Sequence, residues 1–367
     1  MKHLQMMMKP ASSNCNLRCS YCFYEDECRN REIPSYGLMA LDTLEILVKK
    51  ALEEAEDSCT FGFQGGEPML AGLSFFQKFI EFTEKYKKPE TRLSFCIQTN
   101  GTLIDDDWVE FLKKNRFLVG ISLDGIGEIH DRSRKDTQGK DTFKRVLKNA
   151  EFLQKKQVDV NILCVLTKQS ARKIRSIYEF LKKHGFYYHQ YIPCLDPLGE
   201  ERGRRPWSLT PEYYGSALKE LFDLWYKDIM EGHPVSIREF DNWLAMLQGN
   251  PPEACAQMGR CSMQNIVEAN GDIFPCDFYV LDQYRAGNIQ DEDFHFGRED
   301  FSEIDFLREG RERGRECPDC HWYPLCRGGC RRDYTEEGRN YFCRAYQEFF
   351  PYAIERLERL AARGGRF

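Results

Sequence analysis

The run Cys15-Asn16-Leu17-Arg18-Cys19-Ser20-Tyr21-Cys22 sets three thiols within one short loop, directly after the apolar stretch Met6-Met7-Met8. A [4Fe-4S] cluster that only carries electrons takes four cysteines, so a site of three thiolates leaves one iron without a protein ligand and open to chemistry. Zinc sites and chance clusters also use Cys-x3-Cys-x2-Cys spacing, and on spacing alone those readings stay open.

Two neighbours argue for the cluster. Phe23-Tyr24 follows the last cysteine and places aromatic bulk where a cofactor must be shielded from water. Gln64-Gly65-Gly66-Glu67-Pro68 closes the next expected strand, and paired glycines let a backbone approach a ligand closely. With these motifs the chain resembles the radical S-adenosylmethionine (SAM) superfamily. The resemblance implies that Cys15, Cys19 and Cys22 hold the cluster and that its open iron chelates SAM and reduces the sulfonium to a 5'-deoxyadenosyl radical. It also implies that Gly65, Gly66 and Glu67, with Pro68, bind the amino group of the cofactor's methionine.

The chain has 367 residues, 16 cysteines and a net charge of −6, with 42% hydrophobic residues and a mean hydropathy of −0.59. It is long enough to bury a large core and to hold more than one domain. No run of eighteen apolar residues occurs, and Met1-Lys2-His3-Leu4-Gln5-Met6 lacks the apolar core of a signal peptide. Neither a membrane span nor export is expected, and a reducing cytoplasm follows. In that compartment many cysteines point to metal clusters rather than disulfides, and oxygen-sensitive clusters to an anaerobic host. The mild acidity gives no reason to expect nucleic acid as a partner.

Up to about residue 195, strand-like apolar runs alternate with amphipathic stretches, the pattern of βα units around a parallel sheet. Strands are expected at 5–8, 60–64, 93–98, 118–123, 158–166 and 189–194, and helices at 41–54, 74–87, 105–114, 142–155 and 171–183. Six units make an α/β fold, an open (β/α)6 partial barrel. Ligands bind such sheets at the carboxyl ends of the strands, where the cysteine loop, Gln64 to Pro68, Gln98-Thr99-Asn100-Gly101 and Ser122-Leu123-Asp124-Gly125 all fall. Taken alone, Asn100-Gly101 and Asp124-Gly125 are turn dipeptides; their shared edge is what singles them out. By resemblance, Tyr21, Ser122, Arg134 and the backbone at Leu195 also contact SAM.

The alternation stops near Thr210, and 210–230 and 236–247 read as two helices. The charged, turn-rich stretch 196–208 separates them from the barrel and reads as a mobile loop. The expected domains are a barrel over 1–200, a helical linker region over 201–250 and a cysteine-rich domain with a C-terminal helix over 251–367. No internal repeat or low-complexity tract occurs. The stretch 301–315 is charge-dense, and 348–363 reads as an amphipathic helix with Phe349, Tyr352, Ile354 and Leu357 toward a core.

The cysteine-rich part carries Cys255, Cys261, Cys276, Cys317, Cys320, Cys326, Cys330 and Cys343, enough for two four-ligand sites. Tetrahedral zinc uses such spacing too. This part resembles the SPASM extension of radical SAM enzymes. The resemblance implies two auxiliary [4Fe-4S] clusters, one on Cys255, Cys261, Cys276 and Cys330, the other on Cys317, Cys320, Cys326 and Cys343. A fully ligated cluster leaves an electron-carrying or structural role. Cys28, Cys59, Cys96, Cys164 and Cys194 remain as ordinary thiols, the last four in expected strands.

Between 265 and 277 the sequence reads as a β-hairpin with an Asn270-Gly271 turn, delivering Cys276 and Asp277 together. A carboxylate between a cluster thiolate and Phe278-Tyr279-Val280 sits where desolvation favours a general base; on local sequence alone a turn or capping aspartate fits as well. Lys9-Pro10-Ala11-Ser12-Ser13, Phe63 to Pro68, Gln98 to Thr102, Cys194-Leu195-Asp196-Pro197-Leu198 and Cys276-Asp277-Phe278-Tyr279 narrow the resemblance to the anaerobic sulfatase-maturating enzymes, almost end to end; 331–342 departs from the pattern. The group oxidises a cysteine or serine of an unfolded sulfatase polypeptide to Cα-formylglycine. For this chain it implies three [4Fe-4S] clusters, SAM, Asp277 as catalytic base, a sulfatase segment as substrate and an external low-potential electron donor. The rivals are a SPASM enzyme that crosslinks or epimerises another ribosomal peptide, disfavoured by the fourteen residues before Cys15, and a non-catalytic metal scaffold, in which the open site and Gly65 to Pro68 have no purpose.

Overall fold

The computed structural model describes residues 1–297, 304–309 and 316–364. In chain order its main strands are β1 (His3–Met8), β2 (Ser58–Phe63), β3 (Arg92–Thr99), β4 (Leu118–Ser122), β5 (Asp159–Leu166) and β6 (Tyr188–Pro193). Four short strands follow: β7 (Ser236–Ile237), β8 (Ile266–Val267), β9 (Asp272–Phe274) and β10 (Gly287–Asn288). Each of the first six lies within two residues of its expected bounds, and together with the intervening helices they are the strands of the α/β partial barrel.

The chain divides into two compact units. The first contains Met1–Ile121, Lys135–Val160 and Ser262–Arg308; the second contains Ser122–Arg134, Asn161–Cys261 and Glu309–Phe367. In the first, β1, β2, β3 and β4 pair in parallel, with Met8 beside Phe63 and Phe63 beside Ile97. The helices Leu41–Glu54 and Leu73–Tyr86 cover this sheet with one-sided apolar faces. Phe61, Phe63, Phe76, Phe79, Phe95 and Phe111 make edge-to-face contacts beneath them, an arrangement that aromatic quadrupoles favour, and Phe117 stacks on Phe95.

The C-terminal hairpin joins the same sheet. Strand β8 runs parallel to β1, with Met7 beside Ile266, and pairs antiparallel with β9. Its turn runs from Glu268 to Gly271, where the Gly271 N–H donates to Glu268 O at 2.9 Å. The expected Asn-Gly hairpin therefore forms; Cys276-Asp277 follows its second strand, and Asp277 Oδ1 lies 3.0 Å from the ammonium of Lys9, the residue after β1.

In the second unit β5, β6 and β7 pair in parallel. The long helices Pro211–Met230 and Cys343–Ala362 pack around Phe222, Trp225, Phe240, Trp243, Phe349 and Phe350. Two expectations shift here. The helix expected over 171–183 starts earlier, at Lys168, where Thr167 and Ser170 cap the first turn reciprocally, and is interrupted between Lys168–Ala171 and Ile174–Lys183. Ser236 and Ile237 extend as β7 beside Tyr188 and His189, and the helix starts only at Arg238.

The last helix begins at Cys343 and buries Ala345, Phe349, Phe350, Ala353, Leu357 and Leu360, while Tyr352 is exposed. The apolar face lies one position round from the expected one at Tyr352. Apart from Asp305–Glu309, which is helical, most of the charge-dense stretch 301–315 lies outside the described residues. Cys59, Cys164 and Cys194 are buried, Cys28 and Cys96 half-buried, and Cys194 falls just past β6.

Candidate active site

The loop after β1 carries Cys15, Cys19 and Cys22. Leu17–Cys19 is a short strand, and Cys22 starts the helix Phe23–Arg29. The Leu17 N–H donates to Cys15 Sγ at 3.3 Å and the Asn100 amide approaches the same sulfur at 3.8 Å. Asn100 is held in turn by Asn16 Oδ1 at 2.8 Å. Donors aimed at a sulfur suit a thiolate metal ligand. Burial pushes the Cys15 thiol up to about 11, so its thiolate calls for a cation in the loop.

The glycines of Gly65-Gly66-Glu67-Pro68 serve the protein's own packing first. Gly66 has φ +51, and a Cβ there would stand 2.2 Å from the Asn14 carbonyl oxygen. That oxygen accepts the Glu67 N–H at 2.8 Å. The Cβ of an alanine at 65 would stand 2.6 Å from Lys9 Cγ. The Glu67 side chain is fully buried. Its Oε1 accepts from Thr99 Oγ1 at 2.8 Å and from the Met69 N–H at 3.1 Å, and its Oε2 from the Asn100 N–H at 2.8 Å. Glu67 thus clamps the loop after β3 to the loop after β2, which leaves backbone carbonyls as the groups this turn can offer an ammonium. Tyr21, inside the cysteine loop, is buried.

Asp277 stands at the centre of a cluster that the sequence left unassembled. Its Oδ2 accepts from Tyr24 Oη at 2.6 Å and from Gln64 Nε2 at 3.0 Å, and Gln64 Nε2 also reaches Tyr24 Oη at 2.8 Å. Its Oδ1 is buried and pairs with Lys9 Nζ at 3.0 Å. Lys9 also lies 3.6 Å from Glu27 Oε2 and over the Tyr24 ring at 4.1 Å. Burial drives the Glu27 carboxyl up to about 8 and the Tyr24 phenol well above its usual range. Burial also pulls on Lys9, but the carboxylates of Asp277, Glu27 and Glu268 outweigh it and raise its pKa. A second buried pair, Arg31 Nη1 to Glu268 Oε2 at 2.8 Å, ties the segment after the cysteines to the hairpin. Phe23 packs edge-on against Phe278 at 4.9 Å.

Lys9, Tyr24, Gln64 and Glu27 are the residues that sequence reasoning did not connect with Asp277. Lys9, Tyr24 and Gln64 were visible only as motif members. A lysine closing an apolar strand was the one signal available, since a buried lysine demands partners.

In the second unit, Ser122 ends β4, and Arg134 is buried with its Nε 3.1 Å from Asp124 Oδ2. Asp124 Oδ1 accepts the Val165 N–H at 3.0 Å, so Asp124 organises Arg134 rather than acting as a bare turn residue. Leu195 lies half-buried just past β6. Cys317, Cys320, Cys326 and Cys343 line one cavity of about 370 Å³ together with Arg339, Asn340 and Gln347. Burial pushes Cys326 up to about 12, with Cys343, Cys317 and Cys320 adding to it. Burial likewise raises Cys330, and Cys255 and Cys261 lie near enough to contribute. Cys276, in the first unit, ends the hairpin beside Asp277.

Among the described residues no three His, Cys, Asp or Glu side chains converge on one point as a mononuclear metal ion requires. A cubane asks for less, one thiolate on each iron. Four thiols around one cavity and a three-thiol loop with donors to sulfur fit such clusters.

Residues 10–181 match the model of the radical SAM superfamily, and the three-cysteine loop lies inside that match: this is a radical SAM protein. Over 366 residues the chain is 47% identical to a cysteine-type anaerobic sulfatase-maturating enzyme of Clostridium novyi (strain NT), covering 98% of each chain. A serine-type anaerobic sulfatase-maturating enzyme of Bacteroides thetaiotaomicron is 31% identical, over 97% of this chain and 91% of its own length. A solved structure of anSMEcpe with bound AdoMet and Cp18Cys peptide superposes with a TM-score of 0.91 at 45% identity, over 98% of this chain and 99% of the other. The chain belongs to the anaerobic sulfatase-maturating enzymes. No helix among its described residues is long and apolar enough to cross a membrane.

Proposed function

We propose that the chain oxidises one cysteine of an unfolded sulfatase segment to Cα-formylglycine, with Asp277 as the base that takes the thiol proton. The observation that carries this reading is the fixed, buried carboxylate of Asp277, whose Oδ2 is held by Tyr24 and Gln64 and whose Oδ1 pairs with Lys9 Nζ at 3.0 Å. A substrate Sγ–H brought up to Oδ1 would meet a carboxylate already held in place to take its proton.

A cluster on Cys15, Cys19 and Cys22 together with SAM supplies, when bound, the radical chemistry that removes a hydrogen atom from the substrate Cβ. The chain's own residues do the rest. Gly65, Gly66 and Glu67, Tyr21, Ser122, Arg134 and the Leu195 backbone bind SAM. Asp277 Oδ1 takes the proton from Sγ as the second electron leaves, which gives a carbon–sulfur double bond. Water then replaces sulfur, releasing hydrogen sulfide and leaving the aldehyde. Two further [4Fe-4S] clusters, on Cys255, Cys261, Cys276 and Cys330 and on Cys317, Cys320, Cys326 and Cys343, would make three and would accept that electron.

The preference for cysteine over serine rests on the higher identity to the cysteine-type relative. An external low-potential electron donor, a cytoplasmic site of action, the absence of nucleic-acid and membrane partners, and the division at about residues 200 and 250 belong to the same proposal. Asp277→Asn tests it. The variant should still release 5'-deoxyadenosine from SAM, while formylglycine falls about 100- to 10,000-fold, the usual worth of a positioned base. Full peptide oxidation by the variant would remove Asp277 from the mechanism.

A further inference from the structure

Lys9 follows β1 directly, and its N–H donates to Val267 O at 2.8 Å. Its side chain is 2% exposed. The stem runs beneath Gly65, where a Cβ would meet Lys9 Cγ at 2.6 Å, Cδ at 3.0 Å and Cβ at 3.2 Å. The ammonium end reaches Asp277 Oδ1 at 3.0 Å and Glu27 Oε2 at 3.6 Å, with the Tyr24 ring centroid at 4.1 Å. One side chain therefore touches the Gly65 turn with its carbons and Asp277 with its charge.

The Asp277 carboxylate needs that second hold. Tyr24 and Gln64 both donate to Oδ2, and two donors on one oxygen fix a point while leaving the carboxylate free to swing about it. An ammonium 3.0 Å from Oδ1 fixes the plane. Because the same lysine is wedged under Gly65, that plane is referred to the turn between β2 and the 3₁₀ segment Pro68–Ala71. We propose that Lys9 is a positioning residue of the active site, locking the Asp277 carboxylate in register with the Gly-Gly-Glu-Pro turn so that Oδ1 faces the substrate thiol. The inference rests on Asp277 being the base.

Its consequence is a split between the two halves of the reaction. Loss of the ammonium leaves the Gly-Gly-Glu-Pro turn its own bonds to Asn14, Thr99 and Asn100, so release of 5'-deoxyadenosine continues. The carboxylate loses its orientation, and a misplacement of about 1 Å costs about 100-fold in rate.

The experiment is a double-mutant cycle of Lys9→Met and Asp277→Asn in the iron-reconstituted full chain, with a cysteine peptide, SAM and dithionite. Iron content, 5'-deoxyadenosine and oxidised peptide are measured separately. Lys9→Met should load iron and release 5'-deoxyadenosine, while peptide oxidation drops about 100-fold in kcat with KM for the peptide held. In the Asp277→Asn background, Lys9→Met should change nothing further, since residues that act as a unit are not additive. Parallel loss of both products, or losses that add, would make Lys9 a structural residue and overturn the proposal; so would peptide oxidation at the parent rate. If Asp277→Asn alone oxidises peptide normally, the base reading fails first, which is a distinct outcome. Should Lys9→Met fail to load iron, Lys9→Met/Glu27→Gln replaces the Glu27 carboxyl that lost its partner and should show the same split; failure of both to load would place Lys9 in folding and refute the positioning role.

Discussion

Replacing Gly66 by alanine perturbs the point where the cysteine loop and the Gly-Gly-Glu-Pro turn meet. At φ +51 an alanine pays about 1–2 kcal/mol for the left-handed backbone. Its Cβ would sit 2.2 Å from the Asn14 carbonyl oxygen, where real Cβ atoms keep beyond 3.0 Å, so the two loops must part by about 0.8 Å. The Glu67 N–H to Asn14 O bond, 2.8 Å long, is lost with that movement and costs about 1 kcal/mol more.

The sum is about 2–3 kcal/mol, and the displacement falls between the loop that carries the cluster thiols and the turn assigned to SAM. Gly37→Ala is the control: its φ is +77 and nothing lies within 4 Å of its Cβ, so it pays for backbone strain alone. Thermal unfolding and 5'-deoxyadenosine release, measured on both iron-loaded variants, decide the matter. Gly66→Ala should melt lower than Gly37→Ala and release 5'-deoxyadenosine about 100-fold more slowly. Equal behaviour of the two variants would refute the claim that Gly66 exists for the contact with Asn14.

Arg31→Met leaves Glu268 buried and unpaired, both side chains being at most 3% exposed, and should cost about 3–5 kcal/mol. Arg31→Met/Glu268→Gln should recover most of that in denaturant unfolding, and additive losses would contradict it. Glu239 Oε2 is buried without a partner, and burial raises its carboxyl to about 7. A raised carboxyl pKa contributes stability below the unfolded value of 4.5 that is lost as pH rises through 7. Glu239→Gln should therefore gain up to about 3 kcal/mol over the parent at pH 8 and less than about 1 kcal/mol at pH 5, and an equal gain at both pH values would count against it. Asn100→Leu removes the amide facing Cys15 Sγ and should lower the midpoint potential of the cluster in an EPR-monitored titration, since hydrogen bonds to sulfur set that potential; an unmoved midpoint would remove Asn100 from the thiol's surroundings.

The barrel was legible because its signals are local. Each strand from β1 to β6 is a short apolar run bounded by turn residues, and the helices between them carry one-sided apolar faces. The Asn270-Gly271 hairpin was readable for the same reason. The misread segments are those where a polar side chain outside the apolar pattern decides: the Thr167–Ser170 capping box starts a helical turn ahead of the expected helix, and Ser236 pairs as strand beside Tyr188.

The site shows the same division. Three cysteines and a Gly-Gly-Glu-Pro turn announce a chemistry, but the partners of Asp277 come from residues 9, 24, 27 and 64, brought together only because β8 pairs with β1. Likewise the side chain of Glu67 reads as a ligand in sequence and is spent in structure on Thr99, Asn100 and Met69. No period or spacing carries that information.

The central claim is tested most directly by incubating the iron-reconstituted chain anaerobically with SAM, dithionite and a cysteine-containing sulfatase-motif peptide, followed by mass spectrometry of both products. The account predicts 5'-deoxyadenosine together with a peptide whose cysteine sulfur has been replaced by an aldehyde oxygen. Release of 5'-deoxyadenosine with the cysteine peptide unchanged would contradict it.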